Sequence, residues 1–246
     1  MRIRRWLRRQ AEKLTRCQIT HLGPVDFPLR EGRPTDVNNV EILGDRVFRA
    51  ALDACLDWTC LDTPRLATLW QLSRSSNPAG AIAEIGTFRG GAALLLGLAN
   101  PGRPLFVCDT FAGFAGQPID PRRDRLFNHD QFHETSAKAV DVLLGRHLTD
   151  YTLVEGVFPD SDSQGRVKDL SFVHLDVDIY DATRRCLKAV LPRCLPRALI
   201  VIDDYRRGCA GVDEAVAEVL ADDAPDWLTL PLYPGQALLI GRGWFP

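Results

Sequence analysis

AIAEIGTFRGGAALLLGL (residues 81–98) decides the fold. A short β-rich run, apolar except for Glu84, leads into a turn rich in glycine at Gly86, Gly90 and Gly91, and a helix opens at about Ala92. Glycines let a backbone turn sharply and approach a ligand where a side chain would clash. The spacing GxxxGG differs from the GxGxxG of nicotinamide-binding turns. Glycines at such a turn also serve strand–helix packing alone, so the turn by itself leaves a cofactor site and a packing requirement both open.

Outward from this unit, short apolar runs alternate with helical stretches, the pattern of an α/β protein with a parallel sheet covered by helices on both faces. Strands are predicted at 81–85, 104–109, 151–156, 171–177, 198–204, 227–233 and 237–242. The short turn YPGQ joins the last two as an antiparallel hairpin. Seven strands ending this way match a methyltransferase-type sheet better than a dinucleotide dehydrogenase. Upstream, Ile42, Val47, Ala50, Ala51, Ala54, Leu56, Leu66, Leu69 and Leu72 predict two helices broken near 62–64. The segment 110–150 is long and polar, with His129 and His133, and reads as a mobile active-site lid.

The chain has 246 residues, 46% of them hydrophobic and 25% charged, enough for one sizeable core without disulfides. Residues 1–16 carry seven basic residues and one acid, so a net charge of -2 hides a body of about -8. An acidic body argues against nucleic acid as a partner, because binding phosphates needs a basic face. Ile3, Trp6, Leu7, Ala11 and Leu14 recur at helical spacing, so 1–39 reads as a basic N-terminal helix and irregular arm, and 40–246 as the α/β domain. Such a helix packs on its own fold or a neighbouring subunit, or lies on an anionic membrane surface. Without an apolar run long enough for a signal peptide or a membrane span, the chain reads as cytoplasmic. The seven cysteines, Cys17, Cys55, Cys60, Cys108, Cys186, Cys194 and Cys209, are odd in number and scattered, as expected of reduced core thiols.

Three acidic positions carry the chemistry. Asp109 ends the second predicted strand (LFVCD), where a carboxylate can accept hydrogen bonds from both ribose hydroxyls of a nucleoside cofactor or can cap a helix. VHLDVDIYDAT places Asp176 and Asp178 at the end of strand four, and LIVIDDY places Asp203 and Asp204 at the end of strand five. Adjacent parallel strands lie about 4.8 Å apart and end on one edge, so the four carboxylates should converge. Like charges so close repel unless protonated or offset by a cation, and a hard ion such as Mg²⁺ suits oxygen donors. His129 and His133 lack a third metal ligand of fitting spacing, and His174 lies inside strand four and reads as structural. The chain contains no GxSxG, HExxH or P-loop.

EIGTFRGGAALLL, CDTFAGF, VEGVFPDS, HLDVDIYDAT, VIDDY and GCAGVDEAV resemble, in order, the motifs of the macrocin and novobiocic-acid type (TylF-like) sugar O-methyltransferases. The resemblance spans about residues 40–242. It implies a class I methyltransferase Rossmann-like fold, S-adenosylmethionine and Mg²⁺ as cofactors, and a small-molecule hydroxylated acceptor that is sugar-containing. By it, Asp176, Asp203 and Asp204 are metal ligands, Asp178 is the general base, and Glu84, Gly86 and Asp109 hold the cofactor, with Thr87, Gly90 and Thr110 beside them. The family usually has Gly at Val177 and Gly-Gly at Arg197 and Ala198. The implied activity is methyl transfer to a hydroxyl of a sugar or glycosylated natural product; a catechol or phenol acceptor and a non-catalytic binding module are the alternatives, and a homo-oligomer is expected.

Overall fold

The computed structural model describes residues 45–114, 116–241, 243 and 244. The basic helix expected at the start of the chain, the connection after it, Cys17 and the domain boundary at residue 40 lie outside the described residues. The elements run α1 (Arg46–Cys55), α2 (Thr63–Ser75), β1 (Ala81–Ile85), α3 (Gly91–Ala99), β2 (Leu105–Asp109), α4 (Ala137–Leu144) and β3 (Tyr151–Glu155). They continue with β4 (Leu170–Leu175), α5 (Tyr180–Val190), β5 (Cys194–Asp203), α6 (Ala210–Asp223), β6 (Leu228–Leu232) and β7 (Gln236–Ile240). All seven strands form one sheet of order β3-β2-β1-β4-β5-β7-β6, with β7 antiparallel to both of its neighbours. This is the mostly parallel sheet with a terminal hairpin expected from the sequence.

The two-residue pleat sorts the strand side chains into two cores. Ile82, Phe172, Leu199 and Val201 face α1, α2, α3 and α4, while Ala83, Ile85, Val173, Leu175, Ile200 and Ile202 face α5 and α6. Phe172, Leu66, Leu69, Leu94 and Leu95 are fully buried in the first core, each stabilising the fold by about 1.5–3 kcal/mol. The break between the first two helices falls where expected, because Asp62 accepts the Arg65 N–H at 3.1 Å and Pro64 sits in the first turn of α2.

Two expectations change. The second half of the predicted lid is α4, whose Val140, Leu143 and Leu144 enter the core, so the irregular part is confined to 110–136. That part is pinned down: the buried Asp124 carboxylate accepts from the N–H of Tyr180 at the start of α5 and from the Asp120 N–H, both at 2.9 Å. Arg123 adds a 2.6 Å ion pair to Glu214 on α6 and stacks on the Tyr180 ring at 4.0 Å. Among the described cysteines, Cys55, Cys108, Cys186 and Cys209 are buried, but Cys60 is exposed on the turn before α2.

Candidate active site

Strand order reverses at β1, which has β2 on one side and β4 on the other, and in open α/β sheets the crevice at such a point binds ligands. Here it is a cavity walled by the β1–α3 turn, the end of β2, the 110–136 segment and the ends of β4 and β5. Pairing sets Glu84 of β1 beside His174 of β4 and Val201 of β5, one layer below the rim. Two residues on, and on the same face, Asp176 and Asp203 reach the rim. The Asp176 N–H still bonds the Ile85 carbonyl at 2.8 Å, so β4 holds Asp176 in place although the strand ends at Leu175.

Gly86 answers the open question about its turn in part. It has φ +90°, and a Cβ there would stand 1.8 Å from the Asp176 carbonyl oxygen, so the close approach of the two loops requires glycine whatever else binds. Gly86 also lines the cavity, but Gly90 does not: it caps α3 at φ +87° and packs near Val140. Thr87 is buried on the wall with its Oγ1 unpartnered. Thr110 also lines the cavity, but its hydroxyl is engaged locally, donating to the Gly113 carbonyl at 2.7 Å. The Asp109 carboxylate accepts the N–H of Phe88 on one oxygen and of Phe111 on the other, both at 2.7 Å. Burial raises its pKa, and those N–H groups work against the rise.

Ligand oxygens of Asp176, Asp178 and Asp204 lie within 4.8 Å of one another, and so do donor atoms of His174, Asp176 and Asp203. The structure thus brings all four predicted carboxylates together in two overlapping triads. Asp178 and Asp204 adopt left-handed backbone, φ +63° and +59°, which costs non-glycine residues of order 1–2 kcal/mol each and is typical of functional turns. Burial, then the charges of Asp176 and Asp204, push the Asp178 pKa well above the usual carboxylate range. Burial and Asp203 do the same to Asp176. Asp178 and Asp204 thus stand as close acidic neighbours, and like charges so near one another are relieved by a proton or by a cation.

Sequence reading missed the cations. The guanidinium of Arg65, on α2, is buried against Asp203 in a short charge-assisted hydrogen bond and stands 3.7 Å from Asp204. Burial alone would lower its pKa, but Asp203, Asp62, Asp176 and Asp204 raise it on balance. Arg207 approaches Asp204 at 3.9 Å. His174 is fully buried, its Nδ1 2.9 Å from Glu84 Oε2. Burial opposes the imidazolium, yet Glu84 and the neighbouring aspartates raise its pKa to about 9. Glu84 also lines the cavity, and its other oxygen, Oε1, is buried with no partner. Arginine at position 65 shares the helical stripe of Leu69, and a charge in an apolar stripe is the signal that could have exposed it. The predicted histidines lie apart from this centre: His129 bonds the Phe114 carbonyl at 3.1 Å, and neither it nor His133 lines the cavity. Four phenylalanines, Phe88, Phe114, Phe127 and Phe132, form an edge-to-face chain along the cavity wall, with ring centroids 5.4–5.7 Å apart.

A seven-stranded sheet with this order, a glycine-rich first turn, an aspartate ending β2 and an acidic centre beyond β4 and β5 define a class I methyltransferase fold. The chain belongs to the macrocin-O-methyltransferase (TylF) family, whose model matches residues 58–223. It is similar, at 26% identity over 163 residues, to an 8-demethyl-8-(2,3-dimethoxy-alpha-L-rhamnosyl)-tetracenomycin-C 4'-O-methyltransferase of Streptomyces olivaceus; the match covers 57% of this chain and 62% of that relative, under two thirds of its length. Among solved structures it resembles the O-methyltransferase NovP, with a TM-score of 0.65 and 21% identity over 75% of this chain and 82% of that one. The calicheamicin methyltransferase CalS11 follows at 0.56 and 21%, covering 85% and 87%. At these identities the structural likenesses show the fold alone.

Proposed function

We propose that the protein transfers a methyl group from S-adenosylmethionine to a hydroxyl of a sugar-containing small molecule, with a divalent ion such as Mg²⁺ held by Asp176, Asp203 and Asp204. The observation that carries this reading is the convergence of four carboxylates beside the Gly86 turn and Asp109, in a chain of the macrocin-O-methyltransferase family.

The residues present fit both groups. Asp203 Oδ1 is buried without a partner, and an all-oxygen donor set suits a hard cation. The unpartnered Thr87 Oγ1 and Glu84 Oε1 offer buried polar contacts to a cofactor in the crevice. Asp109 is held by backbone N–H groups on both of its oxygens and lines the crevice, where its carboxylate can accept from a ribose hydroxyl. When bound, S-adenosylmethionine supplies the electrophilic methyl group and the ion supplies Lewis-acid polarisation of the acceptor hydroxyl.

Asp178 is the base. Burial and its acidic neighbours raise its affinity for a proton above that of an ordinary carboxylate, which suits it to take the acceptor hydroxyl proton. Its left-handed backbone fixes where the carboxyl is presented. Phe114, Phe127 and Phe132 form an apolar cluster with Val177 and Ile179 of the loop after β4 and exclude water from that side of the cavity.

The test is transfer of labelled methyl from S-adenosylmethionine to a panel of glycosides, catechols and phenols, after EDTA treatment and after Mg²⁺ addition. Glycoside methylation that EDTA abolishes and Mg²⁺ restores is expected. Undiminished transfer after EDTA overturns the metal role, and turnover confined to catechols overturns the sugar acceptor.

A further inference from the structure

We propose that Arg65 is the built-in counter-ion of the acidic centre, occupying Asp203 and Asp204 when no metal is bound and competing with the ion for them. The inference rests on the metal reading above and concerns how this chain regulates that site.

The guanidinium reaches the site from α2, an element separate from the two acidic loops. It takes Asp203 Oδ2 and stands 3.7 Å from Asp204 Oδ1, engaging two of the three proposed ligands, while Asp203 Oδ1 is left without a partner. A guanidinium cannot shed its charge, so a divalent ion entering beside it meets a fixed like charge and must share Asp203 or displace it. The local structure provides somewhere to withdraw. Arg65 Nε is buried with no hydrogen bond, yet lies 3.5 Å from Asp62 Oδ1, and Nη2 reaches the Cys60 carbonyl at 3.5 Å. Asp62 is partly exposed and already sits at the start of the same helix, so the side chain can swing onto it without moving α2.

Two roles are separable by sign. An arginine that supports Asp203 as a ligand strengthens metal binding, whereas a competitor weakens it and stabilises the metal-free protein instead. The experiment is titration of the metal-depleted full chain with Mn²⁺, followed by electron paramagnetic resonance of the free ion, for wild type, Arg65→Met and Asp62→Asn. Competition predicts that Arg65→Met tightens Mn²⁺ binding by about tenfold or more. It also predicts that saturating Mn²⁺ raises the melting temperature of Arg65→Met more than that of wild type. Asp62→Asn keeps the helix cap but removes the charge that receives the guanidinium, so it should weaken Mn²⁺ binding severalfold. Equal or weaker binding by Arg65→Met overturns the inference while leaving the metal reading intact. Should that variant not fold, Asp62→Asn decides alone, and unchanged or tighter binding overturns it. Absence of Mn²⁺ binding in all the proteins overturns the metal reading and this inference with it.

Discussion

Gly86→Ala tests whether the cofactor turn and the acidic centre are mechanically one unit. An alanine would hold φ near +90° at a cost of about 1–2 kcal/mol. Its Cβ would begin 1.8 Å from the Asp176 carbonyl oxygen, where ordinary contact starts at 3.4 Å, so the two loops must part by more than 1 Å. That movement breaks the 2.8 Å hydrogen bond from the Asp176 N–H to the Ile85 carbonyl and leaves buried groups unpaired, a further cost of about 1–3 kcal/mol. Together the loss is about 2–5 kcal/mol, which lowers the melting temperature of a domain of this size by about 5–20 °C. The same displacement carries the Asp176 carboxylate off its position, and a shift near 1 Å costs turnover about a hundredfold. Gly102→Ala is the matched control: it has φ +77° but nothing within 4 Å of the added Cβ, so it should show the backbone cost alone and keep full turnover. Thermal melts and methyl-transfer rates measured well below the melting point give both numbers. A Gly86→Ala protein that melts within about 2 °C of wild type and turns over normally would refute the coupling.

Asp178→Asn should lower turnover by about 10²–10⁴-fold while calorimetry shows unchanged binding of S-adenosylhomocysteine; loss of cofactor binding instead would reassign the residue. Asp109→Ala should weaken that binding by about 10–100-fold, since it removes hydrogen bonds to a charged acceptor, and equal affinity would sink the ribose role. His174 has a folded-state pKa of about 9 against 6.5 for the model group, so its contribution is fully present below pH 6.5 and is lost as pH rises through 9. Wild type should therefore lose stability between pH 6 and pH 10 that a Glu84→Gln, His174→Gln double variant, which carries neither charge, does not lose. Parallel alkaline losses in urea melts of the two proteins would show that the Glu84–His174 pair carries no such charge.

What the sequence revealed and what it hid divide along a physical line. Strands announce themselves through runs and turns, so each predicted strand lies within a few residues of an observed one, and a strand end fixes what stands at the rim: Asp109, Asp176 and Asp203 could be placed because β2, β4 and β5 could. The partners of those acids could not, because they come from elements that cross the sheet. Glu84 and His174 are ninety residues apart and meet only through the β1–β4 register. Arg65 meets Asp203 across 138 residues because α2 packs over the ends of β4 and β5, and helix-packing position is not encoded in local spacing. Four acids without visible cations point to protonation or a metal as what offsets them. With Arg65 and an imidazolium in place, the centre is already partly neutralised, which explains how it can be buried before any ion arrives. The departures from the family pattern follow the same logic. Arg197 stands where the family usually has glycine and takes φ +64°, so the backbone demand survives the substitution, held by a 2.7 Å hydrogen bond from its Nε to the Gly243 carbonyl. Val177 is outside the left-handed region, so its position does not require glycine in this chain, and it packs instead beside Phe114 and Ile179. A charge balance read from the acids alone therefore overstates the need for metal to fold the site and leaves its need for catalysis as the part that EDTA treatment decides.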